Sequence, residues 1–408
     1  MDQELAASLM QYHGELASEL EAILQFWMQH CVDERKGGFI GKLGHDNTID
    51  PEAPKGAVLN CRILRTFAAA ARQSGNHAYR SIADRAFAYL DRHFVDPEFG
   101  GVYWTVTADG KPLDTKKQIY ALAFAVYAFS EYYKLTGEDR ARQLAIGQYR
   151  AIEQYSFDAQ YGGYLEALDR KWQPLADLRL SEKDANEKKS MNTHLHVLEG
   201  YTNLYRVWPD AGLRKQIIAL IRIFLDHIMH PQTHHLVLFF SEQWQSRSSA
   251  VSFGHDIEAA WLVQEAAETV GEEALLAEVR HRCLLVADAA ALGLDGDGGL
   301  WYEKNGAHWV REKHWWPQAE AMVGFFNAWQ ESGHIVHLQR SLAVWAFVKA
   351  HILDREKGEW AWGVRQDYSL MDSEDKAGLW KCPYHNGRAC LELMQRIGKI
   401  DHLNHQHY

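Results

Sequence analysis

The sequence predicts an all-α protein, an (α/α)6 barrel of twelve helices with short β-hairpins between helix pairs. Two observations predict it. A Gly-Gly turn followed by an aromatic strand recurs in strong or weak form six times, starting at residues 37, 100, 162, 234, 298 and 358. Between the turns the pattern is helical, and the helices that follow the turns are apolar on more than one face. A fixed recurrence of this length marks a repeat architecture. A helix apolar all round is buried, and an amphipathic one lies outside it. Six such pairs bury both classes when the inner helices close into a ring. An open solenoid is the alternative, but no terminal pair has the polar outer face of a capping repeat.

The first outer helix covers residues 4–29, with Leu5, Leu9, Leu16, Leu20, Ile23, Leu24 and Trp27 on one stripe at helical spacing. The turn Gly37-Gly38-Phe39 then leads to the inner helix AVLNCRILRTFAAAAR. The second turn, Gly100-Gly101-Val102-Tyr103-Trp104, precedes IYALAFAVYAFSEYY, and the third, Gly162-Gly163-Tyr164, precedes MNTHLHVLEGYTNLYRVW. In these three an aspartate (Asp33, Asp96, Asp158) stands four residues before the first glycine. The fourth turn is a weaker copy, His234-His235 before LVLFF, and leads to HDIEAAWLVQEAAE. The fifth is Gly298-Gly299-Leu300-Trp301-Tyr302, and the sixth is Gly358-Glu359-Trp360 after Asp354. Pro317 and Pro383 fall where the last two inner helices begin, a position that needs no backbone donor. No Pro/Gly/Ser-rich linker interrupts the pattern, so residues 1–408 read as one domain.

Composition narrows the function. Hydrophobic residues make up 47% of the 408, enough for a large core. The net charge of −11 is spread along the chain, and no basic face for nucleic acid appears. No apolar run reaches the roughly 18–20 residues of a membrane span. MDQELAASLMQYHGEL carries acids where a signal peptide needs a basic end and an apolar stretch. The five cysteines (Cys31, Cys61, Cys283, Cys382, Cys390) have no CxxC spacing and read as reduced thiols of a cytoplasmic protein. No GxSxG elbow, P-loop or dinucleotide glycine pattern is present, and the hairpin explains GLDGDGG.

One polar residue per repeat stands near the start of each inner helix: Arg62, Tyr120, His196, His255, Glu320 and His385. Equivalent positions in a closed ring converge on one end, so these six are expected around one pocket. Asn192 and His196, four apart, share a helix face. His194 and His196 lie about 200° apart around a helix and cannot ligate one metal together. His255 and Glu258, three apart, form an HxxE pair that either binds metal or is a base oriented by its carboxylate. No second HxxE or HExxH accompanies it, which favours the base. Most of the fifteen tryptophans belong to the core. Trp316 and Trp380 precede chemistry-bearing residues at the expected barrel mouth, where an indole face stacks on a sugar ring. Trp315 fits either role.

Five stretches, LNCRILRTFAAAAR, KSMNTHLHVLEGYTNLYRVWP, VSFGHDIEAAWL, HWWPQAEAMVGF and WKCPYHNGRACLE, resemble the cellobiose 2-epimerases of the N-acylglucosamine 2-epimerase superfamily. The likeness runs from about residue 15 to 395. It implies the same barrel, a cytoplasmic location, no metal or other cofactor, and a disaccharide substrate. It implies catalytic roles for His196, His255 and His385. It implies substrate binding by Arg62, Tyr120, Asn192, Glu258, Trp316, Glu320 and Trp380. The implied reaction inverts C2 of the reducing-end glucose of β-1,4-linked disaccharides (cellobiose, lactose, mannobiose) through an enediolate. His385 and His255 are then expected as the acid–base pair, His196 at ring opening, Arg62 against the enediolate charge, and Glu258 orienting His255. No nucleic acid or membrane partner is expected, and the chain is expected to be a monomer or weak homodimer. Three other readings stay open: a monosaccharide 2-epimerase acting on mannose or an N-acylglucosamine; a glycoside hydrolase using Glu258 and Glu320; and a non-catalytic binding module. The presence of all three histidines disfavours the last.

Overall fold

Hairpins form at all six turns. Antiparallel bridges pair Val32 with Phe39, Val95 with Val102, Phe157 with Tyr164, Met229 with Leu236, Leu294 with Leu300, and Leu353 with Trp360. The first turn residue is left-handed in every copy, with φ from 62° at His234 to 90° at Gly298. Glycine adopts this backbone without steric cost, which is why it recurs there. The weak fourth copy keeps the conformation with a histidine. At Gly163 space is also decisive, since a Cβ would lie 2.5 Å from the Trp244 ring.

The computed structural model describes residues 3–405. Its twelve helices are α1 (Gln3–His30), α2 (Ala57–Ser74), α3 (His77–Tyr89), α4 (Ile119–Thr136), α5 (Asp139–Tyr155), α6 (Met191–Tyr205), α7 (Ala211–Ile223), α8 (Phe253–Val270), α9 (Glu273–Ala290), α10 (Trp315–Ser332), α11 (Ile335–His351) and α12 (Tyr384–His405). The even-numbered helices pack side by side in sequence, and α12 returns to α2, so the inner ring closes. The odd-numbered helices back them, with α1 lying on α12. The expected all-α (α/α)6 barrel is what the chain forms. One hydrophobic cluster draws on both layers. Among the described residues no helix is long and apolar enough to cross a membrane.

The ends of the helices differ in chemistry. Four of the inner-to-outer turns carry a left-handed glycine cap, at Gly75, Gly137, Gly271 and Gly333. Such caps satisfy the last free carbonyls of a helix and reverse the chain within a few residues. At the opposite end, the segment before each of five inner helices forms a strand of two or three residues. Each pairs with a strand beyond the next hairpin, as Lys55–Gly56 does with Thr105–Val106 and Lys313–His314 with Gly363–Val364. A bridge between Leu43 and Ala377 joins the last repeat to the first. Pro383 lies just before α12, as expected. Pro317 is the third residue of α10 and not its first. Its missing N–H is still one of the unpaired donors of a first turn, so the helix tolerates it.

A repeated ion pair ties these strands to the hairpins. Lys55, Lys117, Lys189, Lys313 and Lys376 donate to Asp33, Asp96, Asp158, Asp295 and Asp354 at 2.7–2.9 Å. The fourth repeat lacks this pair. There His235 Nδ1 lies 2.7 Å from Asp256 Oδ2. The lysines are buried, so each depends on its carboxylate for its charge to be tolerated, helped by a hairpin carbonyl at Lys55, Lys189 and Lys376 and by Asp297 at Lys313.

Candidate active site

The hairpin end of the ring opens on a cavity of about 460 Å³. Its walls come from the first two turns of the inner helices. Tyr120, Asn192, Trp316 and His385 are second residues of α4, α6, α10 and α12, and His255 is the third of α8. One turn deeper stand Arg62, His196 and Glu258, each the sixth residue of its helix. All of these line the cavity, and so does Trp380 from the loop before α12. The ring arithmetic therefore brings nine of the ten expected residues to one place. An adjoining space of about 350 Å³ shares Leu180, Lys183, Asp184, Asn192, His255 and Tyr302 with it, so the cleft continues past the histidines.

Glu320 is the exception. It is 1% exposed and does not line the cavity. It sits behind His385, whose Nδ1 lies 2.6 Å from Glu320 Oε1, and its Oε2 accepts from Trp261 Nε1 at 3.0 Å. Glu320, expected to bind substrate, contacts a lining histidine and not the cavity itself. The expected pairing of Glu258 with His255 is also corrected. Glu258 accepts from Arg388 at 3.0 Å and lies 4.0 Å from His385 Nδ1. His255 Nδ1 instead meets Ser252 Oγ at 2.8 Å. Three-residue spacing shows that two side chains share a face, but not what the facing helices offer them.

The histidine surroundings determine their protonation. His196 Nδ1 is held by Glu199 Oε2 at 2.9 Å, as His385 Nδ1 is held by Glu320. A carboxylate only accepts, so each ring carries its proton on Nδ1 when neutral. Nε2 of all three rings has no protein hydrogen bond among the described residues. Burial pulls all three below the ordinary imidazole value, reinforced at His385 by Arg62 and Arg388 and opposed at His196 by Glu199. His196 and His385 therefore present an unprotonated Nε2, which is a base. His255 faces a hydroxyl that donates or accepts, so its ring takes either tautomer.

Among the described residues Arg62 has no carboxylate partner. It donates to Tyr120 Oη at 2.8 Å, stacks within 4.3 Å of the Phe124 ring centre and 4.5 Å of Tyr384, and leaves Nε unpaired. A desolvated, unneutralised guanidinium attracts developing negative charge strongly. Asn192 Oδ1 is likewise unpaired. The Trp316 ring lies 4.6 Å from His255 and 5.6 Å from His385, in contact with both. Trp315, 2% exposed and 4.4 Å from Trp362, belongs mainly to the core.

Arg388 and Glu199 were not among the expected site residues. Arg388 donates to Glu199, Glu320 and Tyr384 and at 3.0 Å to Glu258. The only sequence signal was its place one turn after His385 in YHNGR. Glu258, Glu320 and His385 are also the one group among the described residues with donor atoms close enough to hold a metal. The Arg388 guanidinium already lies against both carboxylates, so this donor set does not fit a divalent cation as arranged. Burial, then the Glu320 charge, pushes the Glu258 carboxyl well above its usual range, and Arg388 opposes them.

A closed helical ring with histidines and an unpaired arginine at one mouth defines a class. The chain belongs to the N-acylglucosamine 2-epimerase (GlcNAc 2-epimerase) family, whose model matches residues 38–389. Its likeness to particular members is stronger still. It is 50% identical to the cellobiose 2-epimerase of Bacteroides fragilis over 383 residues, covering 93% of this chain and 98% of that protein. It is 38% identical to the cellobiose 2-epimerase of Dictyoglomus turgidum, over 92% of this chain and 96% of that one. The solved cellobiose 2-epimerase from Bacillus thermoamylovorans superposes with a TM-score of 0.91 at 38% identity, covering 95% and 99% of the two chains.

Proposed function

We propose that this chain catalyses the reversible 2-epimerisation of cellobiose, converting the reducing-end glucose to mannose, and acts on lactose and mannobiose in the same way. The observation that carries the reading is the set of imidazoles around an unpaired Arg62, two of them with Nε2 fixed as bases by carboxylates. The relatives named above support the substrate.

In this reading His196 assists opening of the hemiacetal, which exposes the C1 carbonyl. His385 Nε2 then removes the C2 proton of the glucose-configured sugar. The electron pair moves into the C1–C2 bond, and Arg62 neutralises the enediolate oxygen. His255, charged from solvent before the step with Ser252 Oγ accepting from its Nδ1, gives its Nε2 proton to C2 from the opposite face and ends neutral, while His385 keeps the proton it removed and releases it to solvent before the next turnover. The reverse reaction exchanges the two roles. Trp316, against both histidines, supports the open chain while it rotates, and Trp380, Tyr120 and Asn192 bind hydroxyls or ring faces. Protonation at C1 gives a ketose as a slow by-product.

The continuation of the cleft beside His255 supports a disaccharide over a monosaccharide. A hydrolase needs two carboxylates on either side of a glycosidic bond. Glu258 and Glu320 instead meet on one guanidinium nitrogen, which argues against it. We further propose that the reaction needs no metal or other cofactor, that residues 1–408 form one catalytic domain, and that the protein works in the cytoplasm as a monomer or weak homodimer. Five unpaired buried cysteines support that compartment. Incubation with cellobiose, lactose, mannose or N-acetylglucosamine, each with EDTA, tests the reading. Glucosyl-mannose from cellobiose is the expected product. Turnover confined to a monosaccharide, release of free glucose, or loss of activity on chelation would contradict it.

A further inference from the structure

Among the groups the mechanism leaves unused, Arg388 is the most connected. It lies one turn into α12, 1% exposed, with four polar partners from three other inner helices and its own: Glu199 on α6, Glu258 on α8, Glu320 on α10 and Tyr384. Its ring-side contacts are Trp261 at 4.8 Å and Tyr384 at 4.2 Å. Two of the carboxylates it binds hold Nδ1 of His196 and His385. We propose that Arg388 is a positioning residue that fixes the Nδ1–H tautomer of both His196 and His385 by holding the Glu199 and Glu320 carboxylates against their Nδ1 atoms.

Three carboxyls crowd one cation, so they compete for it. Burial raises the Glu199 carboxyl most strongly; the Arg388 charge, the His196 ring and the Tyr384 hydrogen bond together outweigh it and carry the carboxyl down to about 2. Glu258 shares one guanidinium nitrogen with Glu320, and burial and then the Glu320 charge push its carboxyl well above the usual range. The planar fork reaches Glu199 from one nitrogen and Glu258 and Glu320 from the other, a span that a single ammonium cannot cover. Without the fork no single nitrogen reaches both Glu199 and Glu320, and a carboxylate left behind either turns from its histidine or takes up a proton. A protonated carboxyl donates a hydrogen bond, the histidine proton moves to Nε2, and the base is lost. One residue therefore sets the state of the ring-opening group and of the proton-transfer group together.

The catalytic roles of the two histidines rest on the epimerase reading, but their tautomers do not. The test uses the full-length enzyme with 15N-labelled histidine, its signals assigned through His196→Gln and His385→Gln. In the wild type both rings are expected as Nδ1–H tautomers at pH 7.5, and an Nε2–H form at either would overturn the proposal. Arg388→Lys keeps the charge and loses the fork. It is expected to fold, by far-UV circular dichroism, to shift at least one ring towards Nε2–H, and to lower kcat on cellobiose by about 100-fold with KM within about threefold. A folded Arg388→Lys enzyme with unmoved tautomers or near wild-type kcat would overturn it. Should that variant not fold, the wild-type tautomers decide alone. A wild type inactive on every sugar sinks the epimerase reading and leaves the tautomer measurement standing.

Discussion

His194 Nδ1 lies 2.7 Å from the Ser190 carbonyl, and its Nε2 accepts from the Tyr164 amide at 2.9 Å. Both nitrogens are used and neither faces the cavity, so His194 is structural where His196, two residues on, lines the cavity. Protonation would break the Tyr164 bond, and burial lowers the pKa to about 4. Above the unfolded value of about 6.5 the ring is neutral in both states. As pH falls from there towards 4, the unfolded chain takes a proton that the native state refuses, and stability is lost. The expected loss from this ring is about 2 kcal/mol between pH 7 and pH 5. Urea unfolding at the two pH values checks it, and His194→Gln should show a smaller difference between them. The sequence showed that His194 and His196 face apart, but not which one faced the cavity. It also could not show Arg388 and Glu199. Tyr384 and Glu199 touch across 185 residues of chain, and helical periodicity marks both only as buried.

At the scale of elements, the hairpins were legible because a left-handed turn residue leaves glycine in the sequence. The strands before the inner helices were not. Lys55–Gly56 and its counterparts are two or three residues long, too short for alternation to register. The lysine they carry was the available signal, since it recurs with the aspartates already visible at the turns. These ion pairs differ in a testable way. Among the described residues Asp158 has Lys189 as its only cationic partner, whereas Asp96 also accepts from Arg170 at 2.9 Å. Lys189→Met should therefore destabilise the protein by about 3 kcal/mol, because a nearly buried carboxylate loses its counter-ion. Lys117→Met should cost clearly less. Comparison of urea midpoints for the two variants measures the difference, and equal costs would contradict the counter-ion account.

For the whole molecule, closure is the feature on which the site depends, because α12 supplies His385 and must return beside α2. The seam is built by α1. Trp345 and Lys349 donate to Glu15 at 2.7 and 2.6 Å, Trp360 to Glu19 at 2.8 Å, and Trp27 to Glu359 at 2.5 Å. Glu359 also accepts from Asn386, the neighbour of His385. Trp27, 1% exposed, should cost about 4 kcal/mol when replaced by alanine. In a closed ring the loss is felt by every repeat, so circular dichroism and tryptophan fluorescence should still report one shared unfolding midpoint in Trp27→Ala. Separation into two transitions would mark the seam as a local contact only. Closure was legible in the sequence as an absence of capping repeats, while the residues that seal it were hidden by separations of more than 300 positions.

The central claim is that imidazoles from different repeats flank one aldose carbon and move its proton. Incubating His385→Ala and His255→Ala separately with cellobiose in deuterated water, and reading C2 by NMR, tests it most directly. Near-complete loss of glucosyl-mannose in both variants, and of deuterium entry at C2, is the expected result. Substantial epimerisation with C2 deuteration retained in both would contradict it.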